Sequence, residues 1–221
     1  MQTHPLVVPV LVASLGGYLL GSIPVAVLIG KARGVDPRDV GDHNPGYWNS
    51  RQQLGRAAAV PVLLGDGIKG TVAAAVGTVA GHLAGVDGHG ILAATWAAAA
   101  AAMIGHAWPV FAGFRGGRSI LTYCGALAVL SPRTFAISLA ACLVVTGVVR
   151  SFTWGARVGV FGTAAVSFVI DGRYRTAALG ILMTLIGLRF ALAAIAARRR
   201  GAADQHNGAD VERPSPSNAG E

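Results

Sequence analysis

The chain is poor in charge, and poorest in acid: 13% of its 221 residues are Asp, Glu, Lys or Arg, and only 10 of them are acidic. An average soluble domain carries about 25%, so too little polar surface is available here to clothe a globule of this length in water. Cysteine is nearly absent as well, and both copies, Cys124 and Cys142, fall inside apolar segments. That placement excludes a disulfide framework and reads as two small core residues. Other absences narrow the chemistry. No internal repeat, P-loop, metal-ligand spacing or Ser/His/Asp nucleophile signature is present, so neither a metal nor a cofactor is expected and redox chemistry is excluded.

What the chain has instead is apolar length. Hydrophobic residues make up 53% and gather in stretches at 6–30, 57–86, 89–113, 119–131, 134–149, 158–170 and 176–197. Four are long enough to cross a bilayer and the other three are nearer the length of buried core helices or half-spans, which predicts an all-α polytopic membrane helix bundle of about seven transmembrane helices, within a range of five to seven. Ala and Gly outnumber Leu and Phe in these stretches, favouring close backbone approach. The N-terminal stretch lacks a basic flank and is too long for a signal peptide, so it reads as a retained span. Lys31, Arg33, Arg38, Arg51 and Arg56 follow it, whereas residues 81–90 carry no Lys or Arg. The loop after the first span is therefore expected in the cytoplasm, the N-terminus outside and the C-terminus inside, in a bacterial inner (plasma) membrane. The net charge of +8 then reflects topology and attraction to anionic membrane lipids, with no nucleic acid as partner. Residues 1–200 form the predicted transmembrane domain, and residues 201–221, polar and without periodicity, the predicted disordered cytoplasmic tail. Oligomeric state is not legible.

Three polar groups interrupt the apolar chain. The run Val40-Gly41-Asp42-His43-Asn44-Pro45-Gly46-Tyr47-Trp48-Asn49-Ser50-Arg51 combines flexible glycines with the donors Asn44, Asn49 and Arg51, a composition suited to phosphate or carboxylate and also to an ordinary solvated turn. Asp66 and Lys69 share one face of the second span and can neutralise each other. Intramembrane charges of this kind are functional candidates unless they mark an interfacial anchor. In the third group His106 precedes Trp108 and Pro109, and Arg115-Gly116-Gly117-Arg118 offers two guanidinium groups around an unrestricted backbone, a local recipe for holding phosphate.

Taken in order, these segments resemble the bacterial acyl-phosphate:glycerol-3-phosphate acyltransferase family. Tyr18-Leu19-Leu20-Gly21-Ser22-Ile23-Pro24 with Leu28-Ile29-Gly30-Lys31 is similar to its first motif, residues 41–55 to its second, Asp66-Gly67-Ile68-Lys69-Gly70 to the D-x-x-K-G that follows, and residues 105–122 to its third. The resemblance implies a seven-span fold with its motif loops on the cytoplasmic face. It further implies an acyl phosphate donor and a glycerol-3-phosphate acceptor, hence formation of lysophosphatidic acid without a metal. Carried over residue by residue, it places Asn44, Gly46, Asn49, Lys69, Arg115, Gly116, Gly117 and Arg118 at the substrate phosphates; Arg51, one position before the arginine the family carries, joins them by its own chemistry, and His106 and Asp42 are candidates for proton removal.

The chain also departs from the family pattern. Asp42 stands where the family has serine, Tyr47-Trp48 where it has Ala-Thr, Arg115 and Arg118 where it has lysines, and Arg189-Phe190-Ala191-Leu192 where its last span carries His, Glu and Asn. A carboxylate at residue 42 repels phosphate that a serine would bond. Two readings therefore stand at this point: an acyltransferase of phospholipid synthesis, acting on glycerol-3-phosphate or a related hydroxyl acceptor, or a catalytically degenerate relative that binds lipid or a partner protein.

Overall fold

The computed structural model of the protein describes residues 6–211, and among them the regular structure is entirely helical. The chain divides into two compact units, one reaching to Ile186 and one beginning at Gly187. In chain order the helices are α1 (Val7–Gly21), α2 (Val25–Lys31), α3 (Tyr47–Leu54), α4 (Arg56–Leu83), α5 (Gly88–Ala107), α6 (Ile120–Leu130), α7 (Pro132–Val149), α8 (Phe152–Phe161), α9 (Thr163–Ile170) and α10 (Gly172–Val211).

Among the described residues, six segments are long and apolar enough to cross a membrane: Val7–Lys31, Arg56–Leu83, Gly88–Ala112, Pro132–Val149, Phe152–Ile170 and Gly172–Arg200. The shorter apolar helix α6 stands where the sequence places one further crossing. Two boundaries differ from the expected ones. The first span is broken at Ser22-Ile23-Pro24, because proline has no N–H to continue the ladder, so α2 restarts as a separate helix. The sixth starts at Phe152 rather than 158, and Arg157 does not end it: the guanidinium lies over the Trp154 ring, 4.9 Å from the centroid, where the aromatic face accommodates the charge. Helix α10 runs past residue 200 to Val211, and residues 212–221 of the expected tail lie outside the described residues.

Helices α1, α4, α5 and α6 pack on one another, and α7 packs on α8 and α9. The reason for so much glycine and alanine is visible at two crossings. A Cβ on Gly21 would fall 2.0 Å from the Ala102 carbonyl oxygen, and one on Gly125 would fall 1.9 Å from that of Gly67. Backbone thus meets backbone between α1 and α5 and between α4 and α6, the close approach that drives helix association where lipid removes the hydrophobic incentive. Met103, Tyr123, Leu127, Leu179, Leu182 and Ile186 fill the buried centre, while Val8, Leu11, Val12, Leu15 and Leu19 leave α1 with an exposed apolar face.

Cys124 and Cys142 are half-buried on α6 and α7 and form no disulfide. Asp87 caps α5 by accepting the Gly90 N–H at 2.8 Å. Where α9 turns into α10, Asp171 accepts the hydroxyls of Ser131 and Thr134, each at 2.5 Å, and Arg175 reaches the Leu130 carbonyl at 3.0 Å. These bonds tie the α6–α7 corner to the α9–α10 corner.

Candidate active site

A cleft of about 240 Å³, counting its open mouth, lies where the α1–α2 break, the chain before α3, the first half of α4 and the end of α5 converge. Its polar floor is a buried cluster. Lys69 Nζ lies 2.8 Å from Asp66 Oδ1, and His106 Nδ1 lies 3.5 Å from the same oxygen. The three residues are 6%, 2% and 7% exposed, so the Asp66–Lys69 pair is no splayed interfacial anchor. Charges this deep persist only when mutually compensated and hydrogen-bonded. Lys69 also donates to the Ile23 carbonyl at 3.2 Å. That carbonyl is available because Pro24 interrupts the helix and leaves it without a helical partner.

Glycines bring the opposite wall against the histidine. The Gly117 N–H donates to the His106 carbonyl at 3.0 Å, and a Cβ on Gly117 would lie 2.3 Å from His106 Nε2. A Cβ on Gly116 would lie 2.0 Å from the His106 carbonyl oxygen. Any larger residue at either position would push residues 115–118 away from the ring. Since a carboxylate only accepts, Asp66 beside Nδ1 favours a proton on that nitrogen and leaves Nε2 as the acceptor in the neutral ring.

Of the residues expected at the substrate, Lys69, His106, Arg115, Gly116 and Gly117 line this cleft together with Asp66. The loop residues expected as phosphate donors are occupied differently. Asn49 is fully buried, and its Nδ2 donates to the Pro37 and Val40 carbonyls at 2.7 and 3.0 Å. Its Oδ1 accepts the Asp42 N–H at 3.4 Å. With the amide committed to the loop, Asn49 shapes the site instead of donating to a ligand. Arg51 lies over Trp48, 5.4 Å from the ring centroid, and Trp48 stacks on Phe152 at 6.4 Å and 11°. Asn44 donates its N–H to Asp42 Oδ1 at 3.2 Å and, like Gly46, does not line the cleft, although Pro45 between them does. Asp42 pairs through Oδ2 with Arg118 Nη1 at 3.0 Å, and neither residue is among those that line the cleft.

Two features were missed from the sequence. Arg115 Nη2 pairs with Asp39 Oδ1 at 3.1 Å, both side chains largely exposed. Arg38 is clamped by Asp36 through Nε and Nη2 and donates Nη1 to the Ala112 carbonyl at 2.9 Å. The Arg38 guanidinium, by hydrogen-bonding the Asp36 carboxylate, draws its pKa down to about 2 despite partial burial. The three acids around Arg38 in residues 36–42 were the available signal. They were lost in the positive-inside count, which ignores acids. Together Asp36, Asp39 and Asp42 link residues 36–46 to residues 110–118, the two sides of the cleft.

Comparison with known proteins converges on one family. The family described as glycerol-3-phosphate acyltransferase matches residues 11–201. A glycerol-3-phosphate acyltransferase of Chromobacterium violaceum is 38% identical over 72% of this chain and 75% of its own length. One of Rubrobacter xylanophilus is 41% identical over 52% of this chain and 54% of its own, so that match spans about half of the relative. The crystal structure of PlsY, an integral membrane glycerol 3-phosphate acyltransferase, in its glycerol 3-phosphate form superposes with a TM-score of 0.68 at 26% identity, covering 90% of this chain and 92% of that one. Its lysophosphatidic acid form gives 0.65 at 27%, covering 81% and 87%.

Proposed function

This chain belongs to the glycerol-3-phosphate acyltransferase family, and from that premise we propose that its Asp66–Lys69–His106 cleft transfers an acyl group from an acyl phosphate to the hydroxyl of glycerol-3-phosphate. The protein is an integral, multi-pass membrane acyltransferase of phospholipid synthesis. The observation that carries the site assignment is the buried carboxylate shared by a lysine and a histidine, opening beside the Gly116-Gly117 backbone.

An acyl phosphate is already activated, so the protein needs positioning and charge compensation more than a nucleophile of its own. The acceptor oxygen forms a bond to the acyl carbon while the bond from that carbon to the phosphate oxygen breaks, releasing inorganic phosphate. Lys69 and Arg115 offset negative charge on the phosphate groups. His106, held by Asp66 at Nδ1, takes the hydroxyl proton at Nε2 as the bond forms. Asn49 and the Gly116-Gly117 pair keep the two sides of the cleft at working distance.

The site takes its substrates from the cytoplasmic side, with the N-terminus outside and the C-terminus inside, a reading supported by the arginines around residues 31–56 and 115–118 against the α4–α5 corner, which has no Lys or Arg. Purified protein supplied with acyl phosphate and glycerol-3-phosphate should release inorganic phosphate and form lysophosphatidic acid. His106→Ala should slow both by about 100-fold or more. Release of phosphate without acylated product, or full activity in His106→Ala, rejects the assignment. A membrane-impermeant thiol reagent should label His89→Cys from outside and Gln53→Cys only from inside, and the reverse pattern inverts the topology.

A further inference from the structure

We propose that Asp42 is a built-in counter-anion that competes with substrate phosphate for Arg118 and so sets the charge selectivity of the acceptor site, an inference that rests on the acyltransferase reading above. Each cation named at or beside the cleft has an acid partner: Lys69 and Arg115, which line it, are matched by Asp66 and Asp39, and Arg118 and Arg38, which stand beside it, by Asp42 and Asp36. A site that binds phosphate by simple charge surplus would leave cations over. Here a dianionic ligand must take the place of a carboxylate or bear its repulsion.

Asp42 is placed for this by more than chance proximity. The His43 N–H donates to the Val40 carbonyl at 3.1 Å, closing a tight turn whose second residue, Gly41, has φ +61°, a conformation that glycine adopts freely. A Cβ there would also strike Asn49 Oδ1 at 2.2 Å. Asn49 fixes the Asp42 backbone from below, the Asn44 N–H holds Oδ1, and Oδ2 faces Arg118. A carboxylate held on both oxygens, on a backbone that Asn49 anchors, cannot swing aside cheaply, so it opposes an incoming phosphate throughout. The Asp39–Arg115 pair, exposed and held by a single contact, yields more easily and screens more readily. The two arginines therefore differ in availability: Arg115 is open to the phosphate of either substrate, and Arg118 is rationed by Asp42.

The alternative for the same geometry is a latch, in which the Asp42–Arg118 pair merely joins the two sides of the cleft. The two ideas predict opposite signs. Binding of inorganic phosphate to the purified full-length protein in detergent, and KM for glycerol-3-phosphate, should be measured in wild type, Asp42→Asn, Asp42→Ser, Arg118→Ala and the Asp42→Asn/Arg118→Ala double variant. Under competition, Asp42→Asn and Asp42→Ser tighten phosphate and lower KM by about threefold, the scale of a half-exposed ion pair, and Arg118→Ala weakens both. The gain disappears in the double variant and fades between low and high KCl, as screening requires. Weaker or unchanged phosphate binding in both Asp42 variants overturns the proposal. A wild type that forms no lysophosphatidic acid while its phosphate affinity still shifts with Asp42 would instead overturn the reaction assignment and leave the counter-anion standing.

Discussion

Two carboxylates, the buried Asp66 and the half-buried Asp171, face different company, and the contrast separates chemistry from construction. Asp66 is met by an ammonium and an imidazole beside an open cleft. Asp171 is met by the hydroxyls of Ser131 and Thr134 at the α6–α7 corner and does not line that cleft. Burial raises the pKa of Asp171, but the hydroxyl donors outweigh it and the group stays below the ordinary carboxylate value. Both carboxylates are satisfied. Only Asp66 is met by an ammonium and an imidazole, groups that can hand a proton to a ligand, and of the two only Asp66 lines the cleft.

The most forceful way to test that contrast is to neutralise each acid in turn. Asp66→Asn leaves Lys69 buried without its counter-charge and His106 without its orienting acceptor. We expect acyl transfer to fall by about 100-fold or more, the usual scale for a lost preorganised charge or donor. Asp171→Ala should cost about 2 kcal/mol in stability, read as the shift of thermal unfolding in detergent, because two hydroxyls lose a charged acceptor. Its turnover per folded molecule should stay near wild type. Equal loss of turnover in the two variants would erase the distinction.

A smaller effect is expected one step from the cleft, at Asn49. Asn49→Ala removes the bonds that hold the Pro37 and Val40 carbonyls, which should loosen residues 36–46 without touching Lys69 or His106. KM for glycerol-3-phosphate should rise several-fold, with a smaller change in kcat. A fall confined to kcat would place the amide at the reacting atoms after all.

The sequence carried the helical frame well because its signal is one-dimensional: apolar runs long enough for a bilayer, cut by Pro24, Pro109 and the glycine turns. The boundary at Phe152 escaped because an arginine inside a helix looks like an end until a tryptophan is seen beneath it. At the site, Asp66 and Lys69 were legible from their spacing on one helix face, and His106 with Gly116-Gly117 from local chemistry. What could not be read was which donors face the ligand. Asn49 and Arg51 have the right composition for phosphate, yet one amide is consumed by backbone carbonyls and the guanidinium by an indole. The Asn49 partners come from the path of the loop, which spacing does not encode, whereas the Arg51–Trp48 contact is an i,i+3 pair on α3 that helical spacing does encode.

The least effect, and the finest test of the link between the two sides of the cleft, concerns Asp36. Its pKa is lowered to about 2 against an ordinary 3.8, chiefly by the hydrogen-bonded Arg38 guanidinium. A depressed folded-state pKa contributes stability that is fully present above the unfolded value and is lost as pH falls through the folded one. The contribution should therefore be constant above about pH 4 and vanish between about pH 4 and pH 2. Because the pair lies near the surface, its size should be about 1 kcal/mol or less. Subtracting the unfolding temperatures of Asp36→Asn from those of wild type at each pH isolates it: the difference should be flat near neutrality and close toward zero across that window. A difference that is absent at pH 7, or that grows as the pH falls, would mean that Arg38 holds its hydrogen bond to the Ala112 carbonyl across the cleft without help from Asp36.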